Sequence, residues 1–407
     1  MGKPGKKHPV KAKNLRVVIV LAGILAAVLA LGVASFAVPV ATWRTGELPA
    51  PPLSIIAGGP VVAMSNRVWI DTDAACGHTQ TTDPDDCFAL ALLARSHDVA
   101  LAGISTVYGN ATIDITDRVT RELVALLATE GAKVPEVHSG SGRASADAVP
   151  DAPAPAHAAL RRALEEGPLT IVALGPLTNI AAALQDQPHL QRHVSRLVAV
   201  MGRRPGHLFH PSEGVRGGML FGHGPIFRDF NFDQDRNSAR MVLAMNLPLT
   251  LIPYDVARKV ALTGADLDGM DANGGASAWI ASRARGWLQF WKQKIGKDGF
   301  YPFDLLAAAY SLQPSLFSCA ETNAWISHDA RLWSWGSGRD ALLVGLDGER
   351  PSDVKATGPV FYCPQIDPGS PTWINSRLRF QSKARQVSTM PVVTSQTAKT
   401  VPSCLMR

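Results

Sequence analysis

The sequence predicts an α/β protein with a mostly parallel central sheet flanked by helices, preceded by one N-terminal transmembrane helix. Three observations carry this. From about residue 66, short apolar runs alternate with helix-period segments, the pattern of a βαβ series. Polar clusters recur where those runs end, the edge at which open parallel sheets bind ligands. Residues 17–43 are 27 uncharged, mostly aliphatic positions behind a basic tail.

That tail, residues 1–16, carries Lys3, Lys6, Lys7, Lys11, Lys13 and Arg16 without an acid. It accounts for the whole formal net charge of +6, since the rest of the chain balances 34 basic against 34 acidic side chains. The basic excess is therefore local, and no nucleic-acid partner is expected. The uncharged run exceeds the roughly 20 residues that span a bilayer. The basic flank keeps the N-terminus cytoplasmic and sends the rest of the chain across. The run is longer than the roughly 7–15 apolar residues of a cleavable signal, although Ala34-Ser35-Phe36-Ala37 would serve as a cleavage site. Read as anchor or as signal segment, it places the domain C-terminal to it on the export side, periplasmic or extracellular.

Residues 44–65, with Pro49, Pro51, Pro52 and Pro60, read as a linker. A single folded domain is expected over 66–380. Within it, 68–71 is a buried strand and 86–94 a helix. A second strand over 99–107 leads into an amphipathic helix over 115–127. A third strand at 169–174 meets, through a Gly-Pro turn, a helix over 177–184. Residues 196–201 form a strand, 235–245 a helix and 249–252 a strand. A long helix over 276–295 and a short one over 305–312 come next. The Gly- and His-rich stretch 203–226 has no periodicity and reads as a lid or binding loop. Residues 321–380 read as short strands and turns, and 381–407 as a poorly ordered tail.

Five cysteines remain: Cys76, Cys87, Cys319, Cys363 and Cys404. In an exported protein Cys76 with Cys87 and Cys319 with Cys363 are plausible pairs. Small buried thiols are the equal alternative for each.

The chemistry gathers at the end of the first strand. Asp71-Thr72-Asp73 and Asp83-Pro84-Asp85-Asp86 crowd carboxylates that repel one another, and a hard cation with oxygen ligands is what such a cluster accommodates. Asn110 follows the second strand, Gly175-Pro176-Leu177-Thr178-Asn179 the third and Met201-Gly202 the fourth. Asp304 opens a helix, where alone it would be a helix-capping residue.

In order along the chain, these segments resemble the inosine-uridine-preferring nucleoside hydrolases. The aspartate signature is matched by Asp71-Thr72-Asp73 with Asp85-Asp86, the second strand by Gly103 to Asn110, and the third by Ile171 to Asn179. Asp229-Phe230-Asn231-Phe232-Asp233, Pro253-Tyr254-Asp255-Val256 and Phe303-Asp304-Leu305-Leu306-Ala307 complete a match over roughly 66–318. The resemblance implies calcium-dependent hydrolysis of the N-glycosidic bond of ribonucleosides. It implies a Ca2+ ion held by Asp73, Asp86, Asp304 and the backbone carbonyl of Leu174, with Asp73 also the general base for the attacking water. Asp85 and Asn231 would bind ribose hydroxyls, and Asn110, Met201 and Asp229 would line the sugar pocket. A homo-oligomer is possible, since family members commonly form dimers or tetramers.

Three departures stand out. Eleven residues separate Asp73 from Asp85 where the family has three; a Cys76–Cys87 bond would let this insert bulge outward and leave the aspartates in register. Phe303 stands where many members carry a histidine that acts on the leaving base. Aromatic residues there mark purine-preferring members, so Phe303 is either a base-stacking surface or core packing. Asp229 replaces a glutamate. His207, His210 and His223 are candidates for the missing acid, or simply solvent-exposed. Trp69, Trp287 and Trp291 read as core. The competing reading is a nucleoside- or ribosylated-ligand-binding protein that keeps the calcium site without turnover. A phosphotransferase would need a positioned lysine that the sequence does not supply.

Overall fold

The computed structural model describes residues 53, 64–145, 153–207, 229–329 and 340–378. The expected membrane segment and the C-terminal tail lie outside them. Among the described residues, no helix is long and apolar enough to cross a membrane.

Nine strands form one sheet: β1 (Arg67–Thr72), β2 (Ala100–Thr106), β3 (Val137–Ser139), β4 (Leu169–Ala173), β5 (Val194–Ala199), β6 (Leu249–Leu251), β7 (Phe317–Ser327), β8 (Ala341–Gly345) and β9 (Pro359–Ile366). Their order is β3-β2-β1-β4-β5-β6-β9-β7-β8. Pairing is parallel from β3 through β9 and antiparallel for β7 with β9 and with β8. The expected mostly parallel sheet is therefore present.

The strand sequences explain why both faces are covered. Successive side chains point to opposite faces. Val68 and Ile70 of β1 enter one core with Val172 of β4 and Val198 of β5. Trp69, Ile171, Leu197 and Ala199 enter the other. A strand buried on both sides reads as a continuous apolar run rather than an alternation, which is why β1, β4 and β5 stand out in the sequence. The Asp85–Ala94 helix is buried over its whole length and packs on the Phe303–Leu312 helix. A helix apolar all round has to be interior.

Some elements differ from expectation. The long helix ends at Phe290 and continues as a π-helical turn, Trp291–Ile295. The helices Pro155–Glu165 and Gly264–Asn273 and the strand β3 are additional. The region read as short strands and turns begins with an 11-residue strand, β7. Both expected cysteine pairs are disulfides, Cys76–Cys87 and Cys319–Cys363, the second joining β7 to β9.

From β1 the chain winds outward to β3, then crosses back to β4 beside β1 and winds the other way. The crevice at the carboxyl ends of β1 and β4 is thus the topological switch point, the place where such sheets bind ligands.

Candidate active site

At that crevice lies a cavity of about 700 Å³. All six residues expected to contact substrate line it: Asp85, Asn110, Met201, Asp229, Asn231 and Phe303. Leu174 and Asp304 line it too. Asp73 and Asp86 are buried and meet the wall through Asn110. That residue's backbone N–H donates to Asp73 Oδ2 at 2.7 Å, and its side-chain amide donates to Asp86 Oδ2 at 3.1 Å.

The exit of β1 is built by mutual hydrogen bonds. Asp71 is a brace: its Oδ1 accepts from Ser105 of β2 and from Asn179 Nδ2 at 2.7 Å, and its backbone carbonyl accepts from Leu174 N–H at 2.8 Å. Asp86 accepts from the Thr72 hydroxyl and from the Asp73 N–H at 3.1 Å. Gly109 is required behind Asp73. Its φ is +159°, and a Cβ there would sit 1.9 Å from Asp73 Oδ2.

Three carboxylates, those of Asp85, Asp86 and Asp304, come within 4.8 Å of one another. This differs from the expected ligand set in one respect. Asp85 joins the trio, its Oδ2 accepting the Asp304 N–H at 2.9 Å, whereas Asp73 adjoins Asp86 with its Oδ2 bound by the Asn110 N–H. Asp73 Oδ1 is buried without a hydrogen-bond partner. No lysine or arginine is among the described residues lining the cavity. An all-oxygen donor set with an orphaned carboxylate oxygen and no lysine or arginine in the described wall fits a hard divalent cation. The Leu174 carbonyl, also expected as a ligand, accepts from Asn231 Nδ2 at 2.6 Å, and a carbonyl keeps a second lone pair.

Burial pushes these carboxyls up. Asp71 reaches about 7 and Asp86 about 6, and for Asp86 the neighbouring charge of Asp85 adds to burial. Asp73 and Asp304 are raised well above the usual carboxylate range by burial and then by the charges around them. An acid whose pKa is raised on folding takes up a proton between its ordinary value and its raised one, so stability increases as pH falls through that window. With a chelator present, the protein is expected to melt at a higher temperature at pH 5.5 than at pH 7.5. A midpoint that rises from pH 5.5 to 7.5 in thermal denaturation would contradict this.

The insert keeps the aspartates in register, as its disulfide would allow, but it does not simply bulge outward. It folds over the cavity, and His78, Thr79, Thr81, Thr82 and Asp83 form part of the wall. The Asp85 N–H donates to Asp83 Oδ1 at 3.3 Å. Gln80 rests on the long helix at Gly286, where a Cβ would lie 2.9 Å from the Gln80 Cα.

Phe303 is half-buried in the wall, its ring 5.8 Å from that of Tyr254 and tilted by 32°. Trp287, read from sequence as core, also lines the cavity, stacked on Phe290 at 5.0 Å. Its helical spacing is core-like, and only tertiary packing turns it toward the crevice. Tyr254 carried a positional signal, standing just past the carboxyl end of β6. Trp69 is core, donating to Ser105 Oγ at 2.8 Å, as is Trp291. Asp229, the shortened residue, accepts from Gly202 N–H at 2.8 Å and still reaches the wall. His207 does not line the cavity. His210, His223 and most of the expected lid loop lie outside the described residues.

A family model described as inosine-uridine preferring nucleoside hydrolase matches residues 68–355, further than the sequence motifs reach. The chain is 29% identical over 261 residues to the pyrimidine-specific ribonucleoside hydrolase RihA of Enterobacter sp. (strain 638), covering 58% of this chain and 78% of that protein. It is 28% identical over 259 residues to the non-specific ribonucleoside hydrolase RihC of Escherichia fergusonii, covering 58% and 79%. The solved structure of a purine-preferring ribonucleoside hydrolase from Gardnerella vaginalis superposes with a TM-score of 0.58 at 20% identity, covering 77% of this chain and 98% of that one; this likeness carries the fold. With the family match running from β1 through β8 and over both halves of the aspartate cluster, the chain belongs to the inosine-uridine preferring nucleoside hydrolase family and is an N-glycosyl hydrolase.

Proposed function

We propose that this chain is a calcium-dependent ribonucleoside hydrolase that favours purine nucleosides and works on the export side of a membrane. The observation that carries the reading is the pairing of a buried, unpartnered Asp73 Oδ1 with the Asp85–Asp86–Asp304 carboxylate trio beside a cavity whose described lining residues include no lysine or arginine. Asp73, Asp86, Asp304 and the Leu174 carbonyl would hold calcium, and Asp85 is near enough to join them. Bound there, calcium would lower the pKa of a water. Asp73 would take the attacking water's proton as the water oxygen bonds to C1′ of the ribose. Asp85, Asn110, Met201, Asp229 and Asn231 orient the sugar, through a transition state with oxocarbenium character.

The purine preference rests on the Phe303–Tyr254 aromatic face, a surface on which a base stacks. Relatives with pyrimidine-specific and non-specific names share the family, so base choice rests on this chain's own wall. Export is supported by the basic tail before 27 uncharged residues and by two disulfides, bonds that persist in oxidising compartments.

The full chain in detergent, incubated with inosine, adenosine, guanosine and uridine with and without calcium, is expected to release free base, fastest from the purine nucleosides and only with the ion. Calcium-dependent thermal stabilisation without release of base from any of the four would instead make it a binding protein.

A further inference from the structure

Resting on the hydrolase reading, we infer that His78, in the disulfide-closed insert, is the proton donor to the departing base. The family's usual histidine position holds Phe303, whose ring carries no transferable proton. Cleaving an N-glycosidic bond leaves the electron pair delocalised on the base, and an unactivated purine needs a proton on a basic ring nitrogen to leave. The wall must supply that proton from the end of the cavity where the base lies.

The geometry locates that end. The ribose belongs among the carboxylates, so the base extends toward Tyr254, Phe303 and Trp287. The insert stands against the same end. Gly77 lies on the side chain of Arg283, where a Cβ would be 2.5 Å from Cγ, and Gln80 lies on Gly286, the residue before Trp287. His78 falls between these two contacts. It is the only imidazole among the described residues lining the cavity, and imidazole is the side chain that gives up a proton near neutral pH. Its neighbour Asp83 is engaged at the carboxylate end by the Asp85 N–H.

The loop is built to hold this residue in place. Cys76 is bonded to Cys87, and the His78 N–H donates to the Ala75 carbonyl at 2.9 Å. The Thr79 and Thr82 hydroxyls pair at 2.7 Å. The His78 side chain is exposed to solvent, from which it regains its proton after each turnover. The balance closes: the C1′–N bond breaks with its electron pair passing to the base, a basic ring nitrogen of the base receives the proton from His78, water oxygen bonds to C1′, and Asp73 takes the water's proton.

The test compares two substrates with the full chain and calcium. Inosine requires protonation of its leaving base, whereas p-nitrophenyl β-D-ribofuranoside expels a stable anion. His78→Ala is expected to lower kcat on inosine by roughly 10²-fold or more, the usual contribution of general acid catalysis, and to change turnover of the nitrophenyl riboside by less than about 3-fold. His78→Gln, which hydrogen-bonds without transferring a proton, is expected to behave like His78→Ala. Equal losses on both substrates, or none on inosine, would overturn the assignment of His78 and leave the hydrolase reading standing. A wild-type protein that cleaves neither substrate would overturn both.

Discussion

Asp86→Ala is expected to abolish calcium-induced thermal stabilisation and to lower kcat/KM on a purine nucleoside by roughly 10³-fold or more. A metal ion stabilises developing charge by several kcal/mol, and about 1.4 kcal/mol corresponds to each factor of ten. Asp86 belongs to the carboxylate trio and accepts hydrogen bonds from Thr72, the Asp73 N–H and Asn110. Removing its carboxylate takes away a ligand and leaves three donors unanswered, so the alanine variant should also lose stability. Asp86→Asn separates these effects. It retains an acceptor oxygen of nearly the same shape and removes a buried charge that Asp85 repels. In a chelator it should therefore melt at or above the wild-type temperature. In calcium it should show none of the shift expected of the wild type, roughly 5 °C at a hundredfold excess over Kd. A calcium response of wild-type size in the asparagine variant would show that the ion sits elsewhere.

The same residues show what a sequence makes legible. β1, β4 and β5 were readable because both faces are buried, which leaves an unbroken apolar run ending in polar residues. The site inherits that clarity: Asp71, Asn110, Leu174 and Met201 each follow from being near the end of a strand. Legibility stops where a residue's role depends on what packs against it. Trp287 has the spacing of a core residue and is mostly buried, yet it borders the cavity. β7 has Ser318, Glu321, Thr322 and Asn323 among its 11 residues, a composition that suggests turns until β8 and β9 pair with it. The insert is the sharpest case. Its spacing announced eight extra residues, and its cysteines offered a way to close them off. Nothing in the spacing said that the closed loop would lean on Gly286 and become a wall of the cavity.

Opening that loop is the second large effect expected. In the chain-entropy account a disulfide closing 11 residues contributes about 3 kcal/mol, and one closing 44 about 4 kcal/mol. Cys319→Ser/Cys363→Ser should therefore cost slightly more stability than Cys76→Ser/Cys87→Ser. The functional order should be the reverse. The Cys319–Cys363 bond ties β7 to β9, and neither cysteine lines the cavity, so its loss should leave kcat/KM in calcium within about 2-fold. The Cys76–Cys87 bond ties the insert to the helix that begins with Asp85 and Asp86. Without it, ligand and calcium must order the insert themselves, and up to about 3 kcal/mol of that ordering corresponds to roughly 10²-fold in affinity. The Cys76→Ser/Cys87→Ser variant should thus bind calcium up to 10²-fold more weakly and show a raised KM, and saturating calcium should restore part of its lost melting temperature. Calcium titrations followed by thermal denaturation, with steady-state kinetics on both double variants, measure each quantity. Equal functional losses in the two variants would mean that general destabilisation is responsible, and the insert would then have no special part in holding the carboxylates in place.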